Sequence, residues 1–320
     1  MNGILVVVVA GGATLIATPL AMAGAARLGV VDRPGALKPQ QAPVPYLGGA
    51  AVFVGVVAAA AAGRPSVIVP LSLALVLGVA DDCADLSPLL RLAGQVAVGV
   101  AVAATVPVHL EGILGAAALV AVTVLVVNGV NLIDGLDLLA SGVTAAAAVG
   151  FAVVVHGAGR TLAEALAAAL AAFALYNRPP ARVYLGDGGS YLLGTALTVL
   201  LASAWSPGVA TATGVACLAL LAVPVGEVAV AIVRRARGRR SLLAGDRGHP
   251  YDRLVGRGWP VVAVSGVYTG VAALLAAGTV AAVHQSSLAA AMVVDGVSGL
   301  VVVAGAVGTR AFTPDREAHP

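Results

Sequence analysis

Four polar clusters interrupt an otherwise apolar chain, and each holds side chains suited to a metal–phosphate complex. The first reads Ala80-Asp81-Asp82-Cys83-Ala84-Asp85. On a helix Asp85 lies one turn from Asp81 and Asp82, so three carboxylates crowd one patch and repel unless a positive charge sits among them. A hard divalent cation relieves that repulsion. The second cluster, Asn128-Gly-Val-Asn131-Leu-Ile-Asp134-Gly-Leu-Asp137, repeats a polar residue every third position. Steps of three drift by about 60° around a helix, so Asn131 and Asp134 can share a face while Asn128 and Asp137 diverge. Gly129 and Gly135, each costing about 1 kcal/mol inside a helix, suggest backbone turning around a ligand; helix capping by Asn and Asp is the ordinary alternative. The third cluster, Gly186-Asp187-Gly188-Gly189-Ser190, stands directly before an apolar run. A glycine turn ahead of a helix offers N–H groups to phosphate, and Asp187 could ligate Mg²⁺. It lacks the spacing of a Walker loop. The fourth, Gly245-Asp246-Arg247-Gly248-His249, sets an arginine and a histidine two residues apart, a pairing suited to a diphosphate.

Such side chains need elements to position them, and the composition dictates which. Hydrophobic residues make up 60% of the 320, charged residues 10%, and the mean hydropathy is +1.00. That leaves too little polar surface to face water, so the chain reads as an integral membrane protein. Disordered and fibrous classes are excluded, and two cysteines, Cys83 and Cys217, cannot form a disulfide framework. Eleven apolar stretches follow one another: Gly3 to Met22, Leu47 to Ala62, Val67 to Ala80, Leu89 to Val106, Ile113 to Val127, Leu138 to His156, Leu162 to Tyr176, Tyr191 to Ala204, Ala210 to Val233, Val261 to Val283 and Leu288 to Val307. Spanning helices need about 20 residues, and Val67 to Ala80 and Tyr191 to Ala204 fall short. The expectation is therefore an all-α polytopic bundle of 10–11 transmembrane helices, with one catalytic domain over residues 1–309 and a short tail over 310–320.

Charge placement gives the orientation. With eleven crossings, one side holds sixteen basic residues, from Arg27 to Arg316, and the other only Arg64 and Arg160. Basic loops stay in the cytoplasm, so the N-terminus is expected outside, the C-terminus inside, and the protein in the cytoplasmic membrane. Ten of the fifteen acidic residues lie in or beside those same inside loops, and carboxylates at the end of an apolar run read by default as a functional site. Ala21-Met22-Ala23 resembles a signal-peptide cleavage site, but no basic residue precedes the apolar run. Nucleic-acid binding is excluded: the surplus of three positive charges is spread over membrane loops.

Taken in order, the aspartate cluster, the Asn/Asp ladder, the Gly-Asp-Gly turn and the Arg-x-His turn resemble one family, the polyprenyl-phosphate N-acetylhexosamine-1-phosphate transferases of glycosyltransferase family 4. The resemblance runs from Val31 to about Pro260. It is supported by Val31-Asp32-Arg33-Pro34, Lys38 and Pro43-Val-Pro45-Tyr-Leu-Gly48-Gly49 before the aspartates, and by Leu86-Ser87-Pro88 and Gln95 after them. It implies transfer of a sugar 1-phosphate from a UDP-amino sugar to a polyprenyl phosphate in the membrane, with Mg²⁺, or Mn²⁺ in its place, as cofactor. Position by position it makes Asp81 the base toward the lipid phosphate, with Asp82 beside it. Asn131 and Asp187 become metal ligands, and Asp187 counts as catalytic too. Asp137, with Asn128 and Asp134, falls in the uridine-binding segment; Lys38 is a substrate contact; Arg247 and His249 contact the diphosphate and amino sugar. A homodimer is left open.

Four positions depart from the family pattern. Leu138 stands where a glycine is usual, Tyr251-Asp252 replaces a histidine pair, and Glu227 occupies a ninth-span position that is usually aspartate. The last motif is nearer the GlcNAc-type branch, such as the undecaprenyl-phosphate GlcNAc-1-phosphate transferases, than the pentapeptide-type branch. Two other readings compete. A secondary transporter also has intramembrane acids and glycine-broken helices, but should carry them mid-membrane, where only Asp295 lies. A degenerate member kept as a lipid-binding scaffold would account for Leu138 and Tyr251.

Overall fold

The structure, a computed structural model, describes residues 2–33, 42–60, 65–108, 112–241 and 248–313. Lys38 and Arg247 lie outside them. The helices are α1 (Gly3–Leu28), α2 (Gly48–Ala60), α3 (Ile68–Ala84), α4 (Pro88–Thr105), α5 (Gly112–Ile133), α6 (Leu139–Val154), α7 (Gly157–Asn177), α8 (Gly186–Ala204), α9 (Thr211–Ala216), α10 (Ala222–Arg237), α11 (Pro250–Gly256), α12 (Val261–His284) and α13 (Leu288–Thr309). Every apolar stretch of the sequence holds a helix. Among the described residues, eight segments are long and apolar enough to cross a membrane; α2 and α6 are shorter apolar helices.

The all-α expectation needs one amendment. After α1, β1 (Val31–Asp32) pairs antiparallel with β2 (Val44–Pro45), Val31 opposite Pro45. Its closeness to the site matters, because Tyr46 follows β2 directly.

Helix boundaries are set by caps. Asn2 accepts from the Ile4 N–H to open α1, and Gly29, at φ 73°, closes it. Ser87 caps α4 with Pro88 in its first turn. The stretch from Ala210 to Val233 is not one straight helix: a 3₁₀ turn, Cys217–Leu221, separates α9 from α10. The Asp295 carboxyl lies close to the Ala219 N–H of that turn, and its Oδ1 is buried without a hydrogen-bond partner among the described residues.

The core is organised around α8, whose residues are nearly all buried. It packs on α3 and α5, and also touches α2, α4, α6 and α7. Small residues make this closeness feasible. A Cβ at Gly49 would collide with the backbone of Gly189, and one at Gly78 with the Asp187 carbonyl. Such contacts are how helices in lipid approach, since apolar surface alone gives no preference for a neighbour over lipid. Conversely Ile4, Val8, Ile16 and Leu20 on α1, and Met292, Val293 and Leu300 on α13, are exposed, an apolar exterior suited to hydrocarbon.

Candidate active site

The helices continue past the apolar windows at one end of the bundle, and the polar clusters ride on those extensions. Asp81 and Asp82 occupy the last turn of α3, Asn128 and Asn131 the end of α5, and Asp187 and Ser190 the first turn of α8. The amide of Asn131 donates to Asp187 Oδ1 at 2.6 Å and to Ser190 Oγ at 3.0 Å. Asp82 accepts the backbone N–H groups of Asp187 (2.9 Å) and Gly188 (3.1 Å). The Asp187 carboxyl also lies within hydrogen-bonding reach of Asp81. Residues 81, 82, 131 and 187, drawn from three helices, therefore form one cluster.

Two expectations are corrected here. Asp85 does not join the carboxylate patch: it adopts φ 47° as the C-cap of α3, and its exposed side chain pairs with Arg91 at 2.8 Å. Nor is residues 186–190 a loop whose amides await phosphate. Gly186, at φ 71°, starts α8, and the first free amides are already capped by Asp82. A carboxylate at a helix N-terminus satisfies orphan donors and the helix dipole together, which explains an acid at residue 82 without a ligand.

Asp81 is 3% exposed and engaged on both oxygens. Oδ1 meets the Arg91 Nε (2.9 Å) and accepts the Leu86 N–H (3.0 Å), while Oδ2 accepts the Tyr191 hydroxyl (2.8 Å). Asn128 is turned aside, its amide donating to Gln95 and to the Val124 carbonyl. α5 runs unbroken through Gly129, which instead gives room to the Pro224 backbone. The chain turns only at Asp134. Burial raises the Asp134 carboxyl well above the usual carboxylate range, and the charges of Asp187, Asp82 and Asp137 push the same way. Asp137 Oδ2 accepts the Ala181 N–H at 2.9 Å; burial raises its carboxyl too, opposed by that hydrogen bond. Asn177 ties the same two loops, accepting from the Leu138 N–H and donating to the Val183 carbonyl. Leu138, at φ 65°, sits in the left-handed region, a conformation that explains why glycine is usual there.

His249 is buried at the start of α11, with Nδ1 3.0 Å from Glu227 Oε2. Its ring stacks on Tyr251, whose hydroxyl donates to the Leu132 carbonyl at the end of α5. The arginines expected to be loop residues are partly helical: Arg234 is buried in α10 and donates to the Ala311 carbonyl.

Sequence reasoning missed Arg91, Tyr191, Tyr46 and Tyr268 as site residues. Arg91 was read only as an orientation signal, and tyrosines beside apolar runs look like ordinary interface residues. Burial, a hydrogen bond to Asp32 and the fields of Asp32, Asp82 and Asp187 all raise the Tyr46 phenol. Tyr184 is pushed up to about 12 by burial, then by Asp137 and Asp32.

The Asp134 and Asp137 carboxyls and the Tyr46 and Tyr184 phenols thus favour proton retention, as burial in a concentrated negative field must. Arg91 is the one cation among the contacts of Asp81, Asp82, Asn131 and Asp187 described above. Such a donor set suits a hard divalent ion. Among the described residues no three His, Cys, Asp or Glu side chains form a ready-made cage.

The sequence pattern of the family described as "Glycosyl transferase family 4" matches residues 65–204, which contain α3 to α8 and every member of this cluster. A probable undecaprenyl-phosphate N-acetylglucosaminyl 1-phosphate transferase of Bacillus subtilis is 30% identical over 267 residues, covering 76% of this chain and 75% of its own. The chain belongs to glycosyl transferase family 4. Another relative, a decaprenyl-phosphate N-acetylglucosaminephosphotransferase of Mycobacterium tuberculosis, is 30% identical over 336 residues, covering 88% of this chain and 82% of its own. A phospho-N-acetylmuramoyl-pentapeptide-transferase of Desulforamulus reducens is 51% identical, but over only 74 residues, 22% of each chain. Similarity to the two GlcNAc-type relatives of the family is therefore spread along the molecule, whereas similarity to the pentapeptide type is local.

Proposed function

We propose that this protein transfers an N-acetylhexosamine 1-phosphate from a UDP-sugar to polyprenyl phosphate at the cytoplasmic face, giving the polyprenyl-diphosphate sugar and UMP. The observation that carries the reading is the contact of Asn131 with Asp187, capped by Asp82 and flanked by Asp81, at the end of the bundle where the basic loops gather. Relatives named for this chemistry, matched over 75% and 82% of their own length, support it.

Phosphoryl transfer requires the charge on the transferring group to be neutralised and the attacking and leaving oxygens held in line. Bound Mg²⁺ would supply that neutralisation. Asp187 and Asn131 would hold it: with the Asn131 amide nitrogen spent on Asp187 and Ser190, its amide oxygen is the donor left for a cation. Asp82 fixes Asp187 through the backbone, and Ser190 fixes Asn131. An oxygen of the lipid phosphate attacks the sugar-linked phosphorus, that bond forms, and the bond to the UMP oxygen breaks. A phosphate monoester has a second pKa near 6, so at neutral pH the acceptor is already largely dianionic. Asp81 acts as base toward the remaining monoanion once Tyr191 or Arg91 yields it an oxygen. His249 and Arg247 contact the diphosphate. The polyprenyl tail lies in the membrane, which holds its phosphate at high effective concentration beside the carboxylates.

The test is UMP release from purified protein given Mg²⁺, polyprenyl phosphate and a panel of UDP-N-acetyl sugars. The expected result is release with at least one sugar, abolished by Asp187→Asn. Release no greater than the Asp187→Asn background with every sugar overturns the enzyme reading in favour of a lipid-binding scaffold. Exchange of labelled UMP into UDP-sugar without lipid would replace direct attack by a covalent intermediate.

A further inference from the structure

Outside the region matched by the family pattern, four side chains from α10, α11 with its N-cap, and α12 form a polar chain beside an apolar-walled cavity. Glu227 of α10 is 4% exposed. Its Oε2 lies 3.0 Å from His249 Nδ1, and its Oε1 accepts the Tyr268 hydroxyl of α12 at 2.9 Å. The His249 ring is stacked on Tyr251 at 5.3 Å and 7° between planes. Tyr251 in turn reaches the Leu132 carbonyl, two residues before Asp134, at 2.7 Å. Glu227 and Tyr268 also border a cavity of about 160 Å³ whose other walls include Val223, Val267, Leu254 and Val302.

A carboxylate in such a place is costly unless each oxygen is satisfied. Here one oxygen takes a hydroxyl and the other an imidazole nitrogen. A nitrogen facing a carboxylate oxygen at 3.0 Å must share a proton with it, and an imidazole held this way has its tautomer and ring orientation fixed. The low-polarity wall strengthens that hold.

We infer that Glu227, braced by Tyr268, is a positioning residue that holds one proton of His249 on Nδ1 and so orients the ring for a protonated Nε2 to donate to the sugar diphosphate, with Tyr251 locking the ring against the end of α5. The inference rests on the proposed transfer for its kinetic part only. It also gives the departures at residues 227 and 251 a shared purpose. Glutamate, one methylene longer than aspartate, reaches the ring from α10, and a tyrosine in the place of a histidine carries the tether to Leu132.

Two measurements test it. In protein labelled with ¹⁵N-histidine, with the His249 signals assigned by their loss in His249→Gln, the ring should show a protonated Nδ1, and that state should be lost in Glu227→Leu. Proton residence on Nε2 alone, or an unchanged spectrum in Glu227→Leu, overturns the inference whether or not the protein releases UMP. In the UMP assay Glu227→Gln should lower kcat/KM about 10- to 100-fold, the range for residues that orient a functional side chain. Glu227→Gln combined with His249→Gln should be no slower than His249→Gln alone. Tyr268→Phe should lose less than Glu227→Gln. Multiplying losses in the double variant would assign Glu227 to helix packing and overturn the positioning role. Failure of the wild type to release UMP would sink the proposed transfer while leaving the imidazole measurement to decide this one.

Discussion

Leu138 shows how a single residue can disagree with its backbone. At φ 65° and ψ −9° a side chain other than glycine costs about 1–2 kcal/mol. Leu138 offsets part of this with a half-buried side chain, while its N–H donates to Asn177 whatever residue stands there. Leu138→Ala keeps the strain and discards the packing. Leu138→Gly removes the strain but adds about 0.5–1 kcal/mol of chain entropy to the unfolded state. The glycine variant should therefore unfold within about 1 kcal/mol of wild type and the alanine variant below it, by denaturant or thermal melts in detergent. An alanine variant as stable as the glycine one would contradict the strain. Asp137 carries a different conflict. Burial raises its carboxyl above the ordinary 3.8, so the folded state binds this proton more tightly than the unfolded chain. Its contribution is most favourable below pH 3.8 and declines as pH rises through the raised value. Asp137→Asn keeps an acceptor for the Ala181 N–H and removes the buried charge. It should melt higher than wild type at pH 7, by an amount that shrinks toward pH 4; a gap that widens on acidification would refute the sign. Asp137 was visible in the sequence as a polar-ladder position and Leu138 as a departure from the family pattern, but their burial and backbone angle were not, because those depend on Asn177 and Ala181, about forty residues away.

At the scale of elements, hydropathy found the long helices, missed α11, and misplaced most of the functional ends. Apolar windows stop at the first polar residue. Helices stop where a cap or a tertiary partner stops them, so α3 continues to Ala84, α5 to Ile133, α10 to Arg237, and α8 starts at Gly186. That is why Asp85, expected within the acidic patch, is a cap, and why Gly188 and Gly189 are helical. Those glycines, with Gly49 and Gly78, serve the close packing of α8. A methyl at residue 78 would meet the Asp187 carbonyl, which is backbone and cannot rotate away. Gly78→Ala should thus push α3 from α8 and displace Asp187. A shift near 1 Å at a reacting site costs about 10²-fold, so UMP release should fall by that order. Gly12→Ala on α1, where nothing lies within 4 Å of the added methyl, should leave the rate unchanged. Equal rates for both would show that the approach of α3 to α8 does not position the site. The C-terminus of α13 illustrates a second element-level device. Arg234, Arg253 and Arg257 donate to carbonyls between Gly308 and Thr313, satisfying groups a helix end leaves open and opposing its dipole.

For the molecule as a whole, the legible part of the sequence was its sidedness. The polar clusters were assigned to one end of the bundle from alternation of spans alone, and α3, α5 and α8 do bring residues 81, 82, 131 and 187 together. What alternation could not reveal was that α8 is the hub, since its polar first turn lowers its hydropathy while burial on all sides marks it as the centre. The chain carries its own reporter of orientation. Cys83 is exposed beside Asp82, whereas Cys217 is buried, and burial pushes the Cys217 environment away from reactivity because the thiolate is the reacting species. A membrane-impermeant maleimide should therefore leave intact cells unlabelled and label inverted vesicles at one cysteine, with Cys83→Ser abolishing the signal. Bound UDP-sugar with Mg²⁺ should slow that labelling, since Cys83 adjoins the carboxylates that would hold the complex. Labelling of intact cells at Cys83 would reverse the whole topology and set the site on the outer face, away from any cytoplasmic nucleotide sugar. The sidedness and the proposed chemistry therefore stand or fall on the same thiol.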